Sequence, residues 1–352
     1  MEKIALERYT DHIMDAAAGL LAVDSPTGYT EAAAQWVFDA FAELGYAPQR
    51  TVKGGVLVQL AQGTDESAGG LLLEAHTDTL GGMVSQVKSD GRLAVTRLGG
   101  MNANNAEAEN VRVVTKFHGV LEGTCQLINA SIHVNGKYDE TSRSWDTVEI
   151  VLDEDVNSRE DAEKLGVAVG DIVCFEPRTR ITKSGYIKSR FLDDKFSVAI
   201  LLGYARYLKE SGAKPARSVW AHVTVYEEVG HGGCASVPAG VTEAISVDMG
   251  CVGEGLTCTE RQVSICAKDS GGPYSYEVVK ALTAAAMASG ADYAVDIYPH
   301  YGSDVEATLG AGHDLRHGLI GPGVYASHGY ERSHRLGAEN TLRLLIGYTV
   351  DA

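Results

Sequence analysis

Several features are missing from this 352-residue sequence, and each absence excludes something. Its six cysteines (Cys125, Cys174, Cys234, Cys251, Cys258 and Cys266) form no Cys-x-x-Cys pair, so neither a zinc ribbon nor a disulfide framework is indicated. Reduced thiols packed as small hydrophobes are the expected state. No apolar run reaches the roughly 18 residues of a membrane span. Acids stand in Met1 to Asp24, where a secretory signal would have a basic start, and the expectation is a cytoplasmic protein with no membrane contact. Cations are scarce: 30 Lys and Arg face 47 Asp and Glu, a formal charge of -17. That balance disfavours nucleic acid and anionic membranes as partners. No serine or cysteine lies in a nucleophile setting such as Gly-x-Ser-x-Gly, so no acyl-enzyme is expected.

What is present is an ordinary globular composition, 45% apolar and 22% charged, with length for about two domains at roughly 150 residues each. Helical patterns near Tyr9 to Leu21 and Thr30 to Leu44 flank the breaker run Asp24-Ser25-Pro26-Thr27-Gly28. Strand patterns follow at Gly55 to Leu60 and Leu71 to Glu74. From about Val84 short alternating segments (LAVTRL, VRVVTKFHGVLEG, DTVEIVL) separated by Gly, Asn and Asp turns read as a small β-rich domain or barrel. Ser158 and Asp161 have capping-box spacing for a short helix that stops near Gly166, before a last strand. Helix and strand patterns then resume: a buried helix at Phe196 to Leu208, strands at Ser218 to Tyr226, Ala244 to Asp248 and His317 to Ile320, and helices at Tyr274 to Ser289 and Ala338 to Thr349. The sequence therefore predicts an α/β domain in two parts, 1–83 and 179–352, with residues 84–178 inserted as the β-rich domain.

Polar residues collect at the ends of these strands. In AHTDTLGG, His76 and Asp78 are two apart and face one side, which suits a metal ligand and the carboxylate that fixes its tautomer. In SRFLDDKFSVAILL, Asp193 and Asp194 precede an almost wholly apolar helix; two acids at a buried helix entrance repel unless a cation compensates. In HVTVYEEVGHGG, Glu227 and Glu228 end an apolar strand where open α/β sheets place their sites. Gly230, Gly232 and Gly233 there leave room for a substrate. One glutamate on a metal and the other acting as base requires such adjacency. Asp248 ends another strand, and His328 and His334 lie before the last helix. A His, Asp, Glu, Asp, His series at successive strand or loop ends is what a two-metal hydrolytic site requires.

The ordered motifs AHTDTLGGMV, FLDDKFSVAILL, YEEVGHGG, VDMG and SHGYERSH, with NSREDAEKLGVAVGDIV in the insertion, resemble the TET-type aminopeptidases. These form the forty-second metallopeptidase family, which includes glutamyl and deblocking aminopeptidases and proteins once called endoglucanases. The resemblance spans nearly the whole chain. It implies a phosphorylase/hydrolase-like mixed-sheet catalytic domain with an inserted barrel-like or PDZ-like dimerisation domain, and two divalent ions per chain, zinc or cobalt. It further implies small peptide substrates and a dimer-based homo-oligomer, up to a dodecamer. By position, His76, Asp193, Glu228, Asp248 and His328 resemble metal ligands, with Asp193 bridging. Glu227 resembles the general base, and Asp78 the acid that orients His76. The family commonly has Tyr-Ile-His-Ser-Pro where this chain has Ser327-His328-Gly329-Tyr330, so His334 is the alternative last ligand or a group behind it. The SHGYERSH loop and YPHYGSD also resemble a branch associated with bacterial osmoprotectant dipeptides, which makes His300, Ser303 and Asp304 candidate pocket residues.

These readings lead to hydrolysis of N-terminal residues from peptides. Two other classes compete. A glycoside hydrolase would pair Glu227 with Asp248 but has no use for the histidines. A non-catalytic scaffold held by metals would leave one glutamate of the Glu-Glu pair unused.

Overall fold

The apolar periodicity of the first forty residues produces two helices, Glu7–Leu21 and Glu31–Glu43. The first buries Tyr9, Ile13, Ala17 and Leu20 on one stripe. It lies against the long helix Leu192–Ser211, which is buried almost all round because it is packed among the first helix, the last helix Arg335–Thr349 and the strand Gly70–His76. Gly212, at φ +68°, ends it in the left-handed region that glycine enters without strain. The computed structural model describes residues 6–350, the side chain of Glu66 excepted; the outer ends of the two sequence-predicted catalytic segments, 1–5 and 351–352, lie outside the described residues.

The architecture is mixed α/β. Among the described residues twelve strands form one large sheet and six more close into a barrel. At the centre of the large sheet, Val219–Thr224, Gly70–His76, Val241–Val247 and Arg316–Tyr325 lie side by side and parallel. Leu71, Leu72 and Leu73 are fully buried, so both faces of this centre are covered, as parallel sheets require. Thr224 is level with His76, and Val247 with Ile320. The residues that follow these strands therefore emerge at one edge.

The chain leaves that edge after His76 and enters the barrel. Its strands are Gly81–Val87, Leu93–Leu98, Glu109–Thr115, Gly119–Leu127, Val148–Leu152 and Ile172–Phe175. Closure comes from Ile172–Phe175, which pairs with both Gly81–Val87 and Glu109–Thr115. The short helix Arg159–Lys164 carries the expected cap: Asp161 N donates to Ser158 Oγ (3.2 Å), and Ser158 Oγ donates to Asp161 Oδ2 (2.8 Å).

Other elements exceed the sequence reading. The strands Val263–Lys268 and Tyr293–Ile297 pair at the edge of the sheet, and Asp304–Gly310 is a helix. Val263–Lys268 buries Ser264 and Cys266 alongside Val263 and Ile265, so it lacks the apolar alternation that marks a strand. No disulfide joins the six cysteines. Among the described residues no helix is long and apolar enough to cross a membrane.

Candidate active site

The strand Gly70–His76 delivers His76 to the edge where the parallel strands end. Its Nδ1 donates to the carbonyl oxygen of Asp78 at 2.9 Å, with the Asp78 carboxylate 3.5 Å away. The ring is thus held mainly by the backbone of Asp78, and Nε2 is left facing Asp193 Oδ1 (3.1 Å) and Glu227 Oε2 (3.7 Å). The fully buried Asp78 side chain does a second job. It accepts hydrogen bonds from Thr27 Oγ1 (2.7 Å), Glu227 N (3.2 Å) and Glu228 N (3.4 Å), and so ties the Glu227 turn to the His76 strand.

Asp193 and Asp194 stand at the start of the helix Leu192–Ser211 with non-helical backbone angles and a cis peptide bond between them. Asp194 Oδ2 accepts from His76 N at 3.2 Å, while its Oδ1 is buried without a hydrogen-bond partner among the described residues. His328 comes from the loop after the strand Arg316–Tyr325. Its Nε2 lies 3.4 Å from Asp193 Oδ2 and 3.7 Å from Glu228 Oε2. Sequence reasoning missed its brace: the buried Glu331 accepts from His328 N (2.9 Å) and from Asp193 N (3.0 Å). A carboxylate three residues after His328 in the same motif was the available signal. The barrel also reaches this histidine. Asn105 Nδ2 donates to His328 O at 3.2 Å, and a Cβ on Gly100 would sit 2.7 Å from His328 Nδ1. Only glycine allows this approach.

Two groups result, and in each the possible ligand atoms lie within 4.8 Å of one another: His76, Asp193 and Asp248, and Asp193, Glu228 and His328. Asp193 belongs to both. His334 belongs to neither: its Nε2 donates to Ser184 O (2.8 Å) and its Nδ1 accepts from Leu336 N (3.0 Å), so it caps the last helix.

The electrostatics are those of a site short of positive charge. Burial holds Glu227, Glu228 and Asp194 well above the carboxylate range, and raises Asp248 to about 7. Burial also opposes ionisation of Asp193, but His328 and His76 outweigh it and lower that group. For His76, burial is outweighed by Asp193 and Asp78, which raise it. Among the described residues no Lys or Arg lines the cavity of about 480 Å³ that Asp193, Glu227, Glu228, Asp248 and His328 border. A donor set of carboxylates and imidazoles, one carboxylate shared between two groups, fits divalent cations.

The remaining expected residues are all on this cavity. His300 is at its exposed rim. Ser303 is buried, its Oγ 3.0 Å from Tyr274 Oη. Asp304 accepts from the Thr224 hydroxyl and from Gly233 N (2.6 Å), and a Cβ on Gly232 would lie 2.2 Å from Asp304 Oδ1. Gly232 and Gly233 thus admit Asp304, which braces the Glu227 turn, where the sequence suggested room for a substrate.

The sequence model of the M42 glutamyl aminopeptidase family matches residues 54–344. YhfE of Bacillus subtilis (strain 168), whose name classes it with the aminopeptidases, is 41% identical over 329 residues, 94% of each chain. Among solved structures, aminopeptidase APDkam598 from the archaeon Desulfurococcus kamchatkensis superposes with a TM-score of 0.86 at 21% identity, covering 98% of this chain and 96% of that one. The TET1 peptidase of Pyrococcus horikoshii does so with a TM-score of 0.84 at 20% identity, covering 97% and 100%. At these identities the two structures speak to the fold.

Proposed function

The chain belongs to the M42 glutamyl aminopeptidase family and is a peptidase of the aminopeptidase class; on that premise we propose that its cavity removes N-terminal residues from peptides with two divalent metal ions, zinc or cobalt. The observation that carries this reading is the sharing of Asp193 between two ligand groups while Glu227 stands outside both. His76 and Asp248 would complete one site, and Glu228 and His328 the other. Ions there would supply Lewis-acid charge to polarise the scissile carbonyl and ease deprotonation of water.

The chain's own residues do the rest. Glu227, beside both ligand groups and in neither, takes the proton of the attacking water and passes it to the leaving amine. Asp78 holds the Glu227 backbone and the His76 tautomer in one piece, and Glu331 sets Asp193 and His328 relative to each other. For assembly, we propose the segment 84–178 as a dimerisation domain in a homo-oligomer, up to a dodecamer, located in the cytoplasm. The TET1 peptidase assembles into a tetrahedron or a large octahedral shell, and light scattering tests whether this chain does likewise.

Aminoacyl p-nitroanilides assayed beside carboxymethylcellulose, with zinc, cobalt and manganese, test the activity. Turnover of the anilides alone is expected. Cellulose turnover would favour paired carboxylates acting on a glycosidic bond, and metal-loaded protein inert to both would favour a scaffold.

Metal removal has a pH signature. In the metal-free protein Asp248 is raised to about 7, Glu331 to about 8 and His328 to about 10. Burial raises the two acids; His328 rises against burial because of Asp193. All three shifts make the folded chain hold more protons than the unfolded one between pH 6 and 8, so its stability falls as pH rises, by about 1.4 kcal/mol per pH unit for each extra proton. Chelation is therefore expected to lower Tm more at pH 8 than at pH 6. An equal or smaller drop at pH 8 would contradict it.

A further inference from the structure

One acid on the cavity wall has no part in the reaction above. Glu306 lies in the helix Asp304–Gly310. A Cβ on Gly271 would sit 1.9 Å from its Oε1, and one on Gly302 would sit 3.3 Å from its Oε2. Bare backbone at these two positions lets the carboxyl group reach the cavity. Behind it is Asp269, fully buried and already served by three donors: Gly271 N (3.0 Å), Gly272 N (3.3 Å) and Tyr274 Oη (2.5 Å).

Glu306 is also set apart from the reacting end. Among the described residues it belongs to neither ligand group, and the charge that acts on it is that of Asp269. A substrate's α-amino group, two bonds from the scissile carbonyl carbon, stays beside the candidate ligands. The part of the substrate able to reach the far wall is the side chain of its N-terminal residue, and about 480 Å³ accommodates a long one.

We propose that Glu306 selects peptides whose N-terminal residue is lysine or arginine, pairing with the cationic end of that side chain at the wall that it shares with Gly302. The proposal rests on the aminopeptidase reading. Burial first, and then a hydrogen bond shared with Asp269 and the like charge of that residue, raise Glu306 to about 7; an arriving cation would favour the ionised form of this carboxyl pair. Among the described residues no Lys or Arg lines the cavity to compete for it. An acidic N-terminal side chain would meet like charge at Glu306.

The test is kinetic, with lysyl, arginyl, leucyl and glutamyl p-nitroanilides and metal-loaded protein. The wild type is expected to favour lysyl and arginyl over glutamyl substrates in kcat/KM. Glu306→Gln should lower the lysyl-to-leucyl ratio about tenfold, chiefly through KM, as loss of one charge-assisted contact predicts. Glu306→Lys should shift the ratio toward the glutamyl substrate. Ratios unchanged in both variants, or a wild type that prefers the glutamyl substrate, would overturn the assignment while leaving the aminopeptidase reading intact. No turnover of any of the four by the wild type would instead sink that reading, and this one with it.

Discussion

Glu227→Gln is expected to abolish measurable turnover, a loss of at least the 10²- to 10⁴-fold typical of a positioned acid–base group, while the purified protein keeps its metal. The expectation follows from where Glu227 stands. It lies beside both ligand groups without belonging to either, and its carboxylate is 3.7 Å from His76 Nε2. The turn that carries it is fixed through its backbone: Glu227 N and Glu228 N donate to Asp78, and Gly233 N donates to Asp304. Glutamine has the same shape, leaves those bonds in place and cannot take a proton. Metal analysis beside initial rates checks the result. Loss of an ion together with activity would move a ligand role onto Glu227 and leave the base to be sought elsewhere.

His328→Ala and His334→Ala should differ in kind. His328 Nε2 faces Asp193 and Glu228, and removing it should cost one of two ions and nearly all activity. His334 has both ring nitrogens engaged by Ser184 O and Leu336 N. Its alanine variant should keep both ions and lose about 1 kcal/mol of stability, the usual consequence of deleting a helix cap. Elemental analysis and thermal melts of the two variants decide between them. Full metal in His328→Ala with an ion missing in His334→Ala would reverse the assignment.

The elements that present the candidate site were legible because each has a short-range signature. Apolar periods marked the helices Glu7–Leu21 and Arg335–Thr349 and the strand Gly70–His76, and polar residues at strand ends stood out against their apolar neighbours. The barrel could be read from alternation and turns, since antiparallel neighbours close in sequence pair locally. By contrast, Val263–Lys268 and Tyr293–Ile297 pair with each other across an intervening helix, and neither carries a run apolar enough to reveal it.

The sequence by itself determined which side chains stand at the ends of which strands, because a strand's period of two and a helix's of 3.6 are properties of the local backbone. Tertiary structure alone decided how those ends meet. Parallel register sets Thr224 level with His76, and Glu331, 138 residues along the chain from Asp193, joins it to His328. Gly100 of the barrel abuts the His328 ring, and Asp304 enters beside Gly232 where a passage for substrate was expected. His328 and His334, six residues apart and chemically identical, were separated in the same way. One is turned toward carboxylates and the other is spent on a helix cap, because the hydrogen bonds that orient an imidazole come from partners that only the folded chain brings near.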